Sequence, residues 1–410
     1  MPAKNSPPLR VLLSIGIGTG LSLLGDSALY TVLPTHTVDA NVTIAAVGIL
    51  LSANRWVRLL LNGPMGLAYD RWRRKPIFVT ALFLGAISTA IYGAAQGFWP
   101  LLFGRLLWGL AWAGIWVGGN SIILDFTHEA NRGRWIGLYQ VAFFMGVAAG
   151  AFTGGLLTDL IGYAAAMKLQ SGVTLFGALF ALVFLPETRA KQLNEERPQI
   201  DARPTAASQT ASRRKQFAYA TALLGVNRLV VPGMLITTFG LFLAQQLGDH
   251  IQLGERSMGV ATLTGIGLGL APLISMLSAP ISGSLSDRAP SRWKIVARGL
   301  IPGIAGFGLL AVGSPLTITL GMPLIAFTSG SNQGLSTTLA GDFGSERRQG
   351  SRLGVLFTVG DLMSAIGPIL AFGLIPLIHI SGLYSIAALL YGVLFILAMR
   401  MIKSDLAQVG

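Results

Sequence analysis

Five charged side chains stand out within stretches that are otherwise apolar: Asp26, Arg55, Arg58, Arg105 and Asp361. A charge near the middle of a hydrocarbon layer costs about 2.5 to 3.5 kcal/mol, so each of the five calls for a partner or a pathway. Asp26 lies eight residues before Pro34, and Arg105 five after Pro100. At 1.5 Å per residue they sit about 12 and 8 Å from the same end of their segments. A carboxylate at that depth can carry a proton. An arginine beside it would hold it ionised until solute or a conformational change disturbs the pair. The plainer reading is a static ion pair that fixes two helices.

The run Asn54-Arg55-Trp56-Val57-Arg58 puts two arginines one helical turn apart on nearly one face of a second apolar segment. Counted from Val42 they lie about 20 and 24 Å inward, which is deep for two cations. Arginine can grip a carboxylate or phosphate through paired hydrogen bonds, so an anionic or amphipathic solute is one expectation. Asp361 lies eight residues past Leu353, about 12 Å in from the opposite end of its segment and thus near the depth of Arg55. Trp108, Trp112 and Trp116 follow Arg105 at four-residue spacing. Such a stripe packs against neighbouring helices or lipid more often than it lines a cavity, although an aromatic cavity would suit a bulky organic solute. Asn120, Asn332 and Gln333 are further polar side chains inside apolar segments; interhelical hydrogen bonding is the first expectation for them and solute contact the second.

The elements that must position these residues are long apolar helices. The chain has 410 residues, 52% hydrophobic and only 11% charged, far below the quarter charged of a soluble domain. Twelve segments of about 20 apolar residues can be read, at 10–33, 42–64, 76–95, 100–123, 136–159, 165–185, 229–249, 257–281, 295–313, 316–338, 353–377 and 382–401. The fold expected is all-α and membrane-integral. Lysines and arginines crowd the loops of one side, whereas the other side holds only Lys168 and Arg256. By the positive-inside rule the crowded side, with both termini, is cytoplasmic, and an inner-membrane location is expected. The net charge of +13 therefore reports topology, since the basic residues are scattered among loops and offer no face for nucleic acid.

Residues 189–216 are rich in charge, Pro, Ala, Ser and Thr and read as a linker between an N-terminal bundle, 1–188, and a C-terminal bundle, 217–410. Phe217 to Arg228 is apolar but interrupted by Asn227 and Arg228, so a short helix on the membrane surface is expected there. The two halves repeat. Asp70 and Asp287 are 217 residues apart, as are Asp125 and Asp342, and the same offset joins Gly66 to Gly283, Arg71 to Arg288, Glu129 to Glu346 and Gly150 to Gly367. Chance likeness of apolar helices would not align charged loop residues. Parallel repeats of six spans imply two bundles with a solute site between them near mid-membrane.

The stretch Gly66-Leu-Ala-Tyr-Asp70-Arg71-Trp-Arg-Arg74-Lys is too charged for hydrocarbon and reads as a short aqueous loop, with Gly66, like Gly283, allowing close helix approach. With its echo Gly283-Ser-Leu-Ser-Asp287-Arg288, it resembles the loop motif of the major facilitator superfamily of secondary transporters. Arg105-Leu-Leu-Trp-Gly109 resembles the Arg-x-x-x-Gly signature of its drug and proton antiporters. The run Gly146-x-x-x-Gly150-Ala151-x-x-Gly154-Gly155 is similar to the antiporter signature, with Ala151 where proline is usual and Gly367-Pro368 at the repeat position. The resemblance covers nearly the whole chain and implies two six-helix bundles that rock about a central site. It also implies that spans two and eleven face each other. An Arg55–Asp361 pair would then act as a gate, against the alternatives of solute binding and static packing. Asp125 and Glu129 are expected to join Asp70, Arg71 and Arg74 in a cytoplasmic latch, and Asp342 and Glu346 to join Asp287 and Arg288 in a second one, where Ala289-Pro290-Ser291 replaces the basic run.

No Walker-type sequence occurs, the four histidines show no metal-ligand spacing and there is no cysteine, so no enzyme, cofactor or metal is called for. Energy must come from a gradient. Buried carboxylates favour protons over sodium. The reading is a transporter, working as a monomer in the lipid bilayer, that exports a small organic solute against protons. The alternatives are an uptake symporter or uniporter, and a non-transporting sensor that kept the fold.

Overall fold

The computed structural model describes residues 8–127, 129–188, 210–253, 256–342 and 349–406. Its helices run in the order α1 (Pro8–Val32), α2 (Ile44–Arg71), α3 (Arg74–Ala94), α4 (Phe98–Phe126), α5 (Glu129–Ile161), α6 (Tyr163–Phe184), α7 (Thr210–Arg228), a π-helix (Leu229–Leu235), α8 (Ile236–Leu247), α9 (Val260–Asp287), α10 (Arg292–Val312), α11 (Pro315–Asp342) and α12 (Gln349–Leu406). Between α8 and α9 lies an antiparallel hairpin of β1 (His250–Leu253) and β2 (Arg256–Gly259), with Ile251 opposite Met258.

Among the described residues ten helical stretches are long and apolar enough to cross a bilayer. One of them is 49 residues long and turns at His379, which leaves helical geometry with φ 59° and ψ 171°, so it makes two crossings. The polar-rich α11, 28 residues long, completes the twelve expected spans. Leu60, Trp99, Leu316 and Leu377 are each at least 68% exposed on helix surfaces, an arrangement that suits lipid and not water. The protein is a multi-pass membrane protein.

The described residues pack as two compact units, those within 1–198 and 239–269, and those within 199–238 and 270–410. Within the first, α1 packs on α5 and α6, α4 on α2 and α3, and α3 on α6; within the second, α12 packs on α7, the π-helix and α10, and α10 on α11. Small residues allow the closest of these contacts. A Cβ on Gly146 would stand 2.5 Å from the Gly20 carbonyl oxygen, and one on Gly150 2.7 Å from Leu24 Cα, while Gly154 lies against Ala28. These three glycines, spaced by one turn, let α5 approach α1 backbone to backbone. Gly367 meets Gly233 of the π-helix in the same manner, with Pro368 next along α12. The duplication is thus visible as the same pairing of span five with span one and of span eleven with span seven.

Two expectations change here. Phe217–Arg228 does not lie on the membrane surface: α7, the π-helix and α8 form one continuous span, Lys215–Leu247, and α7 starts inside the expected linker. Asn227 is tolerated within it because its amide donates to the Ser329 carbonyl at 3.3 Å and accepts from the Tyr391 hydroxyl at 2.7 Å. Residues 189–209 lie outside the described residues. The segment read as the loop 66–75 is helical as far as Arg71, and α3 starts at Arg74, so only Trp72 and Arg73 link the two. A helix satisfies its own backbone and therefore continues past the hydrocarbon edge.

At the end of the first unit away from the α2–α3 turn, Asp159 accepts the backbone N–H of Thr262 at 2.7 Å and its hydroxyl at 2.5 Å. This carboxylate caps the first turn of α9, where a negative charge also meets the positive end of the helix dipole. Gly259 and Gly155 make room for the contact, lying against the Asp159 carboxylate and the Ala261 carbonyl.

Candidate functional site

Asp26 on α1 and Arg105 on α4 form an ion pair, Nη1 to Oδ1 at 2.5 Å. The depth argument from sequence placed them level, and the packed bundle brings them into contact. Arg105 is fully buried and spends its other donors on backbone and phenol: Nε on the Leu50 carbonyl at 3.0 Å, Nη2 on the Tyr30 hydroxyl at 2.9 Å and on the Leu51 carbonyl at 3.5 Å. The Leu50 and Leu51 carbonyls belong to α2, so one guanidinium ties α1, α2 and α4 together. Asp26 keeps 14% of its side chain accessible where Arg105 keeps none, so the carboxylate is the member of the pair that a proton can reach. Arranged this way, the site places a buried carboxylate–guanidinium pair within membrane spans, where separating the two would strand a desolvated charge.

Tyr30, one turn along α1 from Asp26, is buried and was not singled out by the sequence reading. Its hydroxyl donates to the Leu51 carbonyl at 2.8 Å, with Asn54 Oδ1 at 3.2 Å. Arg55 packs its guanidinium over the ring, 5.1 Å from the centroid, and Arg105 does so at 4.9 Å. Asn54, Arg55 and Arg105 therefore join Asp26 in one cluster. Arg58 is half-buried a turn beyond Arg55 on α2, and Asp361 is half-buried on α12 in the second unit. The one signal that could have revealed Tyr30 is its four-residue spacing from Asp26.

The tryptophan stripe packs inside the first unit. Trp108, Trp112 and Trp116 stack in series at 5.9 and 5.7 Å, and Phe143 of α5 sits against both Trp112 and Trp116. Asn120 bonds its own helix, Nδ2 to the Trp116 carbonyl at 2.8 Å, instead of bridging helices. Asn332 is fully buried and makes no hydrogen bond among the described residues, while Gln333 is half-buried beside it on α11. Among the described residues neither shows the interhelical bond expected of it.

Among the residues expected to form the first latch, Arg74 pairs with Asp125 at 3.1 Å with both side chains nearly fully buried, and it also bonds the Tyr69 carbonyl. Thr188 donates to Asp125 at 2.7 Å, and Glu187 accepts the backbone N–H groups of Arg74 at 2.9 Å and Lys75 at 3.2 Å, capping α3. Asp70 and Arg71 are exposed at the end of α2. In the second unit Asp287 pairs with Arg292 at 2.7 Å, on the surface, while Arg288 is exposed. The side chains of Glu129 and Asp342, and Glu346 as a whole, lie outside the described residues. Gly66 and Gly283 do not mediate close approach: a Cβ on either would meet nothing within 4 Å, because both lie on partly open helix faces.

The profile of the Major Facilitator Superfamily matches residues 15–368. The chain belongs to this superfamily. A tetracycline resistance protein of class G from Vibrio anguillarum is 26% identical over 85% of this chain and 86% of its own length. A probable 4-methylmuconolactone transporter from Cupriavidus pinatubonensis is 25% identical over 72% of this chain and 67% of its own. The fold matches an inward-facing, occupied bacterial homologue of the human lysosomal transporter Spinster, with a TM-score of 0.76 at 17% identity over 98% of this chain and 99% of that one. It also matches the nucleoside transporter NupG, with a TM-score of 0.75 at 16% identity over 96% and 99%. The protein is a secondary transporter of the Major Facilitator Superfamily and not an enzyme.

Proposed function

We propose that this superfamily member exports a small organic solute by alternating access, driven by protons that Asp26 carries. The observation behind the reading is the Asp26–Arg105 pair, a carboxylate and a fully buried guanidinium 2.5 Å apart within membrane spans. In one state the arginine holds Asp26 ionised. When the bundle rearranges or solute arrives, the pair loosens and the carboxylate takes a proton, so that charge and conformation change together. Likeness to tetracycline resistance proteins supports export, and the 4-methylmuconolactone relative agrees with an organic solute. Arg55 and Asn54, beside the pair, supply the groups an anionic or amphipathic solute would engage.

Proteoliposomes carrying the full chain and an internal pH dye, tested with a panel of organic anions and amphipathic drugs, should show solute-dependent proton flux. Asp26→Asn should abolish that flux while leaving solute equilibration down its own gradient. Full pH-driven accumulation by Asp26→Asn would overturn the coupling role.

A further inference from the structure

Two guanidinium groups share one aromatic ring. The Arg55 and Arg105 Cζ atoms lie 5.1 and 4.9 Å from the Tyr30 centroid, and both arginines are buried. Like charges this close repel more strongly as the surroundings lose water. The ring's electron-rich face attracts each of them, and its hydroxyl accepts from Arg105 while donating to the α2 backbone. Tyr30 thus serves the ion pair as well as Arg55.

The need for such a residue follows from the proposed proton-carrying role of Asp26, on which this inference rests. Once Asp26 is neutral, Arg105 has lost its anionic partner yet stays buried. It then depends on the Leu50 and Leu51 carbonyls, the Tyr30 hydroxyl, the Tyr30 ring and the Tyr92 ring at 6.0 Å. We propose that Tyr30 is a positioning residue that holds Arg105 in place while Asp26 is protonated, and so sets the pH at which Asp26 exchanges its proton. The charged and titratable groups around Asp26 are Arg105 from α4, Arg55 from α2, Tyr92 from α3 and Tyr30 from α1 itself. Near this depth α5 presents Gly150, which lies against Leu24 and Ser27 and does not titrate.

The sign follows from which state leans on Tyr30 more. Removing the hydroxyl costs the state with neutral Asp26 more than the state with the ion pair. Asp26 should then hold its proton less readily, and its midpoint should move to lower pH.

The test needs no solute. In purified full-length protein, the infrared carbonyl stretch of a protonated carboxyl is followed against pH, and the band absent from Asp26→Asn is assigned to Asp26. Tyr30→Phe, which keeps the ring, should move that midpoint down by about one unit, the worth of one hydrogen bond to a charged group. Tyr30→Leu, which removes the ring too, should move it further. An unmoved or raised midpoint in both variants, with wild-type circular dichroism, overturns the role of Tyr30 and leaves the proton-carrier reading intact. If no band disappears in Asp26→Asn, the carrier reading itself falls and this inference with it.

Discussion

At the scale of single residues, burial separates two ion pairs that look alike in sequence. Arg74 and Asp125 are 7% and 1% exposed, whereas Arg292 and Asp287 are 27% and 65% exposed. Breaking a buried pair strands a desolvated charge, which costs about 3 to 5 kcal/mol. An exposed pair is worth about 0 to 1 kcal/mol. Asp125→Ala should therefore lower the melting temperature in detergent by many degrees, and Asp287→Ala should leave it within a degree or two. Equal shifts would remove the asymmetry. The aspartates of these pairs were legible from the offset of 217 residues and Arg74 was expected beside Asp125, but Arg292 lies off that register and was not singled out. Arg292 displaces Arg288 as the partner of Asp287 because only packing decides which arginine reaches it. Tyr30 stayed hidden for a related reason: a tyrosine in an apolar run looks like any other core aromatic until the arginines from α2 and α4 are laid over it.

At the scale of elements, the helices were legible where apolar length alone decides and illegible where the backbone carries a helix beyond it. Asp70 and Arg71 looked like loop residues and are the last turn of α2. Asn227 looked like a break and is a satisfied side chain within the seventh span. The glycine spacing in α5 did announce a close neighbour, though not that the neighbour is α1. Asp159 was missed, since an aspartate after two glycines at the end of a span carries no signal of the helix it caps. That cap gives a direct expectation. Losing an N-cap carboxylate costs about 1 kcal/mol, so Asp159→Ala should speed amide hydrogen exchange in the first turn of α9 about fivefold. Unchanged protection of residues 260–263 would show that Thr262 does not depend on Asp159.

At the scale of the whole molecule, a fold of two repeated six-span halves was legible because duplication leaves charged residues in register, and the pairings of α1 with α5 and of α7 with α12 repeat accordingly. What the repeat does not announce is that residues 239–269, second-half by descent, pack with residues 1–198. That arrangement bears on how the protein is made. Synthesis runs from the N-terminus, so a nascent chain that has delivered all of the first six spans still lacks a piece of the unit they belong to. Contacts between residues 239–269 and the first half can form only after the ribosome has passed residue 269, some seventy residues later. A chain ending at residue 198 should be cut readily by protease in membrane vesicles, and one extended through α9 to residue 287 should regain much of the resistance of the full protein. Equal resistance of the shorter chain would mean that the first half needs nothing from the second. The early half would otherwise wait in the membrane, unfinished, for a segment that reaches it late.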